Sequence, residues 1–349
     1  MHRSRSRAFA AAAAVITSAL VASSSSLSLA AATTDAAKIP TTNVVLFRMP
    51  AGGYDMQAGL GSMWIVRTDE FHDTLIYRVD PTTNAQHRVG HLKFAGGAHI
   101  AVGYGSLWIT DYFGNAVWRV SAQGRVQAKI PTGLQPEAVH LAFGSVWVGN
   151  HHSHSVTRID PRTDTVLATD SAGDPTQFRD GPQDITSDAS RIYVGSSDLS
   201  VVQSIDPATN VTTTPAGATD DQFCGPLTVS GGSIWNSDRC TNTLYRISPV
   251  GVVQSRVTYG PPFASNGPQV LDETRFDGKL WVAVDESYNN DTSTGSQGVV
   301  EEREPHDGTL LGQVAVGGDV SRVRGGFGSL WTFEAGTSTV RRMTLPGTP

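Results

Sequence analysis

Short runs of alternating apolar and polar residues recur along the chain after residue 43, and they are rich in β-branched and aromatic side chains. Clear examples lie at residues 115–120, 155–160 and 243–248. A period of two residues predicts β-strands that bury one face. No segment shows a sustained period of 3.6 residues, so the pattern predicts an all-β fold.

A motif of a small residue, Ser or Lys, an aliphatic residue and an aromatic residue recurs seven times. The seven aromatic residues are Trp64, Trp108, Trp147, Tyr193, Trp235, Trp281 and Trp331. They are separated by 44, 39, 46, 42, 46 and 50 residues, which is the period of propeller blades with four strands each. The repeat therefore predicts a seven-bladed β-propeller over residues 43–349, in preference to six or eight blades.

Turns that begin with Asp-Pro mark the end of the third strand in several units, at residues 80–84, 160–164 and 206–210. Asp followed by Pro favours a type I turn. Each unit is interpreted as strand a before the Gly-Ser pair, strand b at the aromatic residue, strand c up to the Asp-Pro turn and strand d after it. The last unit ends after strand c, so we predict that residues 43–49 supply its fourth strand and remove the open edges.

The first 32 residues have the order of an export signal. Arg3, Arg5 and Arg7 precede a mostly apolar run at residues 8–22, and small residues follow at 30–32. About 15 apolar residues are fewer than the ~20 that span a bilayer, which favours a cleaved signal peptide over a membrane anchor. We expect a signal peptide at residues 1–32, a flexible leader at 33–42 and a secreted or extracytoplasmic mature chain without a membrane span.

Charge and cysteine content narrow the function classes. Lys and Arg number 26 against 32 Asp and Glu, a formal net charge of −6, so the chain lacks the basic face that nucleic-acid binding requires. Cys224 and Cys240 are the two cysteines, 16 positions apart. In an oxidising compartment we expect them to form a disulfide, with two buried thiols as the alternative.

Two blade motifs resemble known bacterial propellers. Residues 147–150, Trp-Val-Gly-Asn, together with 156–161, resemble secreted propellers of the YVTN type. Residues 105–111 and 115–124 are similar to blades of virginiamycin B lyase. The resemblance covers nearly all of the chain after Asn43 and implies a propeller fold. In the lyase family, copies of Trp-Phe-Thr-Glu place glutamates and histidines around a magnesium ion, where a ring linkage is broken by elimination.

The glutamate of that motif corresponds to the position three residues after each repeat aromatic. This position holds Arg67, Asp111, Asn150, Ser196, Asp238, Val284 and Glu334. Because Glu334 alone preserves the glutamate, the resemblance carries the fold and not the reaction. Asp111, His152 and Glu334 are the candidate ligands for a divalent metal such as Mg²⁺, and the sequence identifies no cofactor with certainty.

Strand order divides the loops between two rims. The first rim carries the short a–b and c–d turns, and the second rim carries the b–c and d–a connections. The second rim includes the long segments at residues 173–184, 259–274 and 285–298. Because long loops on a rigid scaffold concentrate binding residues, we expect the functional site on the second rim, around the central channel.

Polar residues of strand a are the candidate lining of the channel mouth. Nine positions before each repeat aromatic lie Asp55, His99, Ala138, Asp184, Pro226, Asp272 and Arg322, and two positions further along lie His140 and Arg324. The candidate ligand-binding residues are Asp55, Asp184, Asp272, Arg322 and Arg324. The candidate catalytic residues are His99, His140 and Glu334, because a carboxylate beside an imidazole supports elimination or hydrolysis. A water-filled channel lining is the alternative for this ring.

These features favour a noncatalytic exported propeller that binds a ligand or protein through the second rim. The alternative is a metal-assisted lyase or a lactone hydrolase, and a third class is an oxidoreductase with quinone in the channel. The sequence has no nucleophile elbow, phosphate loop or dinucleotide fingerprint. The expected partners are a small molecule or an extracellular protein, and the chain is expected to be a monomer.

Overall fold

The computed structural model describes residues 27–29, 36–48, 53–96, 99–174, 176, 181–197, 199, 201–216, 223–261, 266–289, 297–335 and 337–345. These residues form β-strands and turns and contain no α-helix. No segment among them is a helix long and apolar enough to cross a membrane. Most of the expected signal peptide, residues 1–26 and 30–32, lies outside the described residues.

Seven antiparallel sheets form the blades of a β-propeller, as the repeat predicted. Strands are given from strand a, beside the channel, outward to strand d. Blade 1 is Gly53–Gly59, Ser62–Thr68, Thr74–Val79 and Gln86–Leu92, and blade 2 is Ile100–Gly103, Ser106–Asp111, Ala116–Val120 and Val126–Pro131. Blade 3 is Pro136–Ala142, Ser145–Asn150, Ser155–Asp160 and Thr165–Ser171, and blade 4 is Pro182–Ser187, Ile192–Ser196, Gln203–Asp206 and Val211–Thr213. Blade 5 is Leu227–Ser230, Ser233–Asp238, Thr243–Ile247 and Val253–Thr258, and blade 6 is Asn266–Phe276, Lys279–Asn289, Gly298–Arg303 and Leu310–Ala315.

Blade 7 joins the two ends of the propeller. It consists of Val320–Gly326, Ser329–Glu334, Thr339–Thr344 and the N-terminal strand Thr42–Arg48. The N-terminal strand pairs antiparallel with Thr339–Thr344. The predicted closure of the last blade by an N-terminal strand is confirmed. Strand a of each blade contacts strand a of the next, so the inner strands of the seven blades form a continuous ring.

Two further N-terminal segments contact the outer strands. Leu27–Leu29 pairs in parallel with Val253–Thr258 of blade 5. The N–H of Ile39 donates to the carbonyl of Gln313 at 2.9 Å, and the N–H of Gln313 donates to the carbonyl of Ala37 at 2.9 Å. Part of the expected leader therefore lies along strand d of blade 6.

The structure explains each residue of the repeated motif. The glycine lies in the a–b turn with a positive φ, for example 72° at Gly61 and 73° at Gly105, a conformation that favours glycine. The indole N–H of Trp64 donates to the carbonyl five residues earlier, 2.9 Å away, and five other repeat tryptophans do the same. The motif serine accepts a hydrogen bond from a strand c arginine, such as Arg119 to Ser106 at 2.9 Å.

Apolar clusters fill the spaces between neighbouring blades. Trp64 of blade 1 packs with Leu107 and Ile109 of blade 2, and Trp331 of blade 7 packs with Met56 of blade 1. Each of the seven blade interfaces has such a cluster. The repeat tryptophans therefore pack between sheets, where each buries roughly 150–250 Å².

The disulfide predicted from the sequence is present. Cys224 and Cys240 are bonded, with a Cα–Cα distance of 5.8 Å. Cys240 lies in the b–c turn of blade 5, and Cys224 precedes strand a of the same blade. The bond therefore ties two connections of the second rim together beside the channel.

Candidate functional site

A cavity of about 290 Å³ occupies the central channel. Its wall is built by strand a of all seven blades and by Arg239 from the b–c turn of blade 5. This volume lies near the lower limit of small-molecule pockets, roughly 300 Å³. The wall includes six of the seven ring positions found by counting from the aromatics, namely Asp55, His99, Asp184, Pro226, Asp272 and Arg322, together with His140 and Arg324.

Bulges in strand a turn additional side chains toward the channel. The register shifts between Pro136 and Ala138 in blade 3 and between Pro182 and Asp184 in blade 4, and blades 6 and 7 shift at the equivalent point. A bulge inserts one residue and re-aims its neighbours. Glu137 lines the cavity in place of the counted Ala138, and Gln183 lines it beside Asp184.

Arg324 is the centre of an ion-pair network inside the cavity wall. Its Nη2 lies 3.2 Å from Asp55 Oδ1, and its Nη1 contacts Asp272 Oδ2. Although burial disfavours the charge, Asp272 and Asp55 hold the pKa of Arg324 above its ordinary value. Burial likewise acts to raise the pKa of Asp55, but Arg324 and His99 outweigh it and the pKa is lowered. The charges of Asp55 and Arg324 are therefore both retained at neutral pH.

Burial raises the pKa of two other acids of the wall. Burial raises the pKa of Asp184 to about 7, although its Oδ2 accepts a 2.6 Å hydrogen bond from the N–H of Leu227. Burial and the neighbouring charge of Asp272 raise the pKa of Glu273 well above its usual value. The carboxyl group of Glu273 accepts hydrogen bonds from the N–H and the hydroxyl group of Ser237.

Two imidazoles also line the cavity. Burial lowers the pKa of His99 to about 4, even though its Nδ1 lies 3.7 Å from Asp55 Oδ2. Burial lowers the pKa of His140 to about 4, and its Nε2 lies 2.9 Å from the hydroxyl oxygen of Ser187. At pH 7 both rings are neutral and can accept or donate a hydrogen bond.

Arg239 and Arg322 are the remaining cations of the cavity wall. Neither forms an ion pair with a carboxylate in the described parts of the chain, and Arg322 Nη1 donates to the carbonyl of Ser321 at 2.9 Å. Arg239 is exposed toward the channel, but the surrounding wall partly desolvates its charge, and this desolvation and the nearby charge of Arg322 lower its pKa. Arg322 was predicted from the sequence and Arg239 was not. Arg239 lies beside the cavity because it is next to Cys240, which the disulfide fixes at the channel.

His151, rather than its neighbour His152, is turned toward the channel mouth. The Nε2 atom of buried His151 lies 3.4 Å from Glu137 Oε2 and 3.5 Å from Gln183 Nε2. His152 is exposed on the b–c turn and does not line the cavity. The side chains of His151 and His152 thus point in different directions. The candidate metal ligand, His152, is the one that points outward.

Asp111 and Glu334 lie at the ends of strand b and stabilise the turns that follow. Asp111 accepts hydrogen bonds from the Gly114 N–H at 2.7 Å and the Trp118 indole at 3.0 Å, and Lys129 Nζ lies 2.8 Å away. Glu334 accepts from Arg341 Nε at 2.6 Å and from Thr337 Oγ1 at 3.1 Å. Neither side chain lines the cavity.

The candidate metal ligands Asp111, His152 and Glu334 belong to blades 2, 3 and 7 and do not meet. Among the described residues, one set of three potential ligands has its donor atoms within 4.8 Å of one another, namely Cys224, Asp238 and Cys240. The disulfide removes both thiols of that set because metals bind the thiolate form. The side chains proposed for Mg²⁺ therefore do not fit a common ion.

Comparison with known proteins supports the fold. No protein-family model and no curated protein matches the chain. Virginiamycin B lyase from Staphylococcus aureus is similar at 13% identity and a TM-score of 0.67, over 88% of this chain and 100% of the lyase chain. A catalytically inactive variant of that lyase with quinupristin has a TM-score of 0.64 at 13% identity, with the same coverage. BamB from Moraxella catarrhalis has a TM-score of 0.58 at 13% identity, over 84% of this chain and 85% of BamB. The chain is thus a seven-bladed β-propeller with the fold of virginiamycin B lyase, and the resemblance found in its blade motifs is confirmed for the fold.

Proposed function

We propose that the chain is an exported β-propeller that binds a small polar ligand in its central channel, entered from the second rim. The supporting observation is the cavity of about 290 Å³, whose wall collects five acidic, three basic and two imidazole side chains from the inner strands and one turn. A wall of this composition requires polar groups in its occupant. Export is supported by the N-terminal sequence and by the disulfide, which persists in oxidising compartments.

A channel-filling variant tests this proposal. Gln57 lines the cavity and is half-buried, so Gln57→Trp should fill the space that a ligand needs. The matched control, His87→Trp, adds the same indole to an exposed position of strand d in the same blade. A library of small polar compounds is screened by thermal shift, and each hit is remeasured by calorimetry on both variants.

We expect the hits to bind wild type and His87→Trp equally and to lose affinity for Gln57→Trp. A ligand that binds all three proteins equally occupies another surface, and this result would contradict the proposal. Absence of any stabilising compound in the screen would also count against it. An unchanged melting temperature of the unliganded variants shows that the effect is local.

Catalysis by a lyase or lactone hydrolase is the second candidate, because His99 and His140 face the cavity as neutral imidazoles. Each could accept a proton from a bound substrate. The third candidate catalytic residue, Glu334, is held by Arg341 outside the cavity. Mass spectrometry of a bound hit after prolonged incubation separates the two functions: unchanged compound indicates binding, and product formation abolished by His99→Gln or His140→Gln indicates catalysis.

A further inference from the structure

Two cations of the cavity wall, Arg239 and Arg322, form no ion pair among the described residues, and the proposed ligand can be specified from them. This step rests on the proposed function. Asp55 and Asp272 are both paired with Arg324. Glu137 lies 3.4 Å from His151 at the mouth. Three of the five acidic groups of the wall therefore contact a basic side chain, and the other two, Asp184 and Glu273, accept hydrogen bonds from the N–H groups of Leu227 and Ser237.

Arg239 and Arg322 differ from Arg324, which forms two ion pairs with acids of the wall. Neither guanidinium forms an ion pair with any carboxylate of the described residues, although both line the same cavity. Arg322 is half-buried and Arg239 is exposed, so both remain accessible to a ligand that enters from the second rim. Two like charges at one mouth repel each other unless an anion lies between them.

Hydrogen bonds and the disulfide fix the turn that places Arg239 at the channel. Arg239 follows Asp238, which accepts hydrogen bonds from the N–H of Cys240 at 2.8 Å and the hydroxyl group of Thr241 at 2.6 Å. The disulfide to Cys224 fixes the same turn. The charge of Arg239 also lowers the pKa of His99, which precedes strand a of blade 2. Arg239 of blade 5 and His99 of blade 2 line the same cavity.

We infer that Arg239 and Arg322 form an oxyanion site that binds the carboxylate or phosphate group of a small organic acid at the mouth of the channel. Guanidinium groups present paired N–H donors that match the two oxygens of such a group. The hydrogen-bonding groups of His99 and Asp184, which line the same cavity, lie beside the remainder of the ligand. A free cation is disfavoured because Asp55 and Asp272 are paired with Arg324 and Glu137 contacts His151.

Calorimetry on the intact mature protein at low ionic strength tests the inference. The probes are citrate, D-glucuronate and inorganic phosphate, and D-glucose is the neutral counterpart of glucuronate. We expect at least one oxyanion to bind, with affinity falling as salt rises, and glucuronate to bind more tightly than glucose. Arg239→Gln and Arg322→Gln should each weaken oxyanion binding by about tenfold. Arg162→Gln, at an arginine that is 85% exposed in the c–d turn of blade 3, is the matched control.

A second measurement does not depend on affinity. Phenylglyoxal modifies accessible arginines, and peptide mass spectrometry reports the extent at each one. Oxyanions should protect Arg239 and Arg322 and leave Arg162 unprotected. The inference is overturned if none of the oxyanions binds or protects, or if both glutamine variants bind the oxyanion as wild type does. If the oxyanion inference fails in this way, a neutral compound from the thermal-shift screen that binds wild type and loses affinity for Gln57→Trp would still support binding in the channel. Failure of the oxyanion site can therefore be distinguished from failure of the proposed function.

Discussion

Asp184 Oδ2 accepts a hydrogen bond of 2.6 Å from the backbone N–H of Leu227, and this bond joins the inner strands of blades 4 and 5. The same contact recurs between blades 1 and 2, from Ile100 to Asp55 at 3.1 Å, and between blades 6 and 7, from Val323 to Asp272 at 2.8 Å. The acidic ring of the channel therefore links blades as well as lining the cavity.

The Asp272 contact should contribute strongly to stability because the side chain is fully buried and also pairs with Arg324. Asp272→Asn retains an oxygen for the Val323 N–H but removes the charge that faces Arg324. Breaking a buried ion pair costs about 3–5 kcal/mol. We expect a loss of about 3 kcal/mol in the free energy of unfolding, measured by denaturant titration.

Asp277→Asn is the control for this prediction. Asp277 lies in the exposed a–b turn of the same blade with a φ of 49°, a conformation that asparagine tolerates. The chemical change is identical, but no ion pair is lost. Equal stability of the two variants would show that the pair of Asp272 with Arg324 contributes nothing.

The raised pKa of Asp184 predicts that stability falls as pH rises. Burial shifts this pKa from 3.8 to about 7, so between these values the unfolded chain releases a proton that the folded chain keeps. Ionisation therefore favours the unfolded state progressively from about pH 4 to pH 7. From pH 5 to pH 8 the carboxyl group should cost the folded protein about 2–3 kcal/mol.

Asp184→Asn isolates this effect because asparagine keeps an acceptor for Leu227 and does not titrate. The difference in unfolding free energy between variant and wild type should move in favour of the variant from pH 5 to pH 8. His140 has the opposite influence: its pKa of about 4 makes stability fall as pH drops below about 6.5. This contribution cancels in the difference. A difference that is independent of pH would contradict the raised pKa.

The sequence located the cavity ring because the repeat fixes its own register. The a–b turn is short, and the tryptophan is bound to the carbonyl five residues earlier, as between Trp108 and Gly103. Counting back from the aromatic therefore reaches equivalent positions of strand a. The count failed at Ala138, whose small side chain is buried in the apolar cluster between blades 3 and 4, while neighbouring Glu137 lines the cavity. The bulges that let Glu137 and Gln183 line the cavity beside the counted positions depend on how strands pair, and they leave no clear mark in a single sequence.

The residues three positions after the aromatics have a local role that was not predicted from the sequence. Asp111 bonds to Gly114, Asp238 to Thr241 and Glu334 to Thr337, in each case three residues later. A carboxylate followed at this spacing by Gly or Thr is typical of side chains that stabilise turns. This pattern competes with metal binding for the same oxygens. Which of the two prevails depends on tertiary neighbours such as Lys129 and Arg341, and spacing alone does not reveal these.

Removing the disulfide should destabilise the protein and also disorder the mouth of the channel. The bond between Cys224 and Cys240 closes a loop of 16 residues, for which the chain-entropy relation gives roughly 3 kcal/mol. The Cys224→Ser, Cys240→Ser double variant should lose about this amount in denaturant titration. Phenylglyoxal labelling of neighbouring Arg239 should rise relative to Arg162. Wild-type stability and labelling in the double variant would show that the turn is fixed without the bond.

Deleting the N-terminal closing strand should prevent the propeller from closing. Thr42–Arg48 covers the edge of Thr339–Thr344, and Leu46 and Phe47 pack against the cluster between blades 7 and 1. A chain that starts at residue 53 exposes this sheet edge and part of that cluster, so we expect aggregation and loss of the cooperative thermal transition. A chain that starts at residue 36 keeps the strand and should melt as a single monodisperse species in calorimetry and size-exclusion chromatography. Phe47→Asp keeps the strand and removes the apolar contact, so its melting temperature should lie below that of the chain starting at 36. Equal melting of all three proteins would mean that blade 7 is stable with three strands.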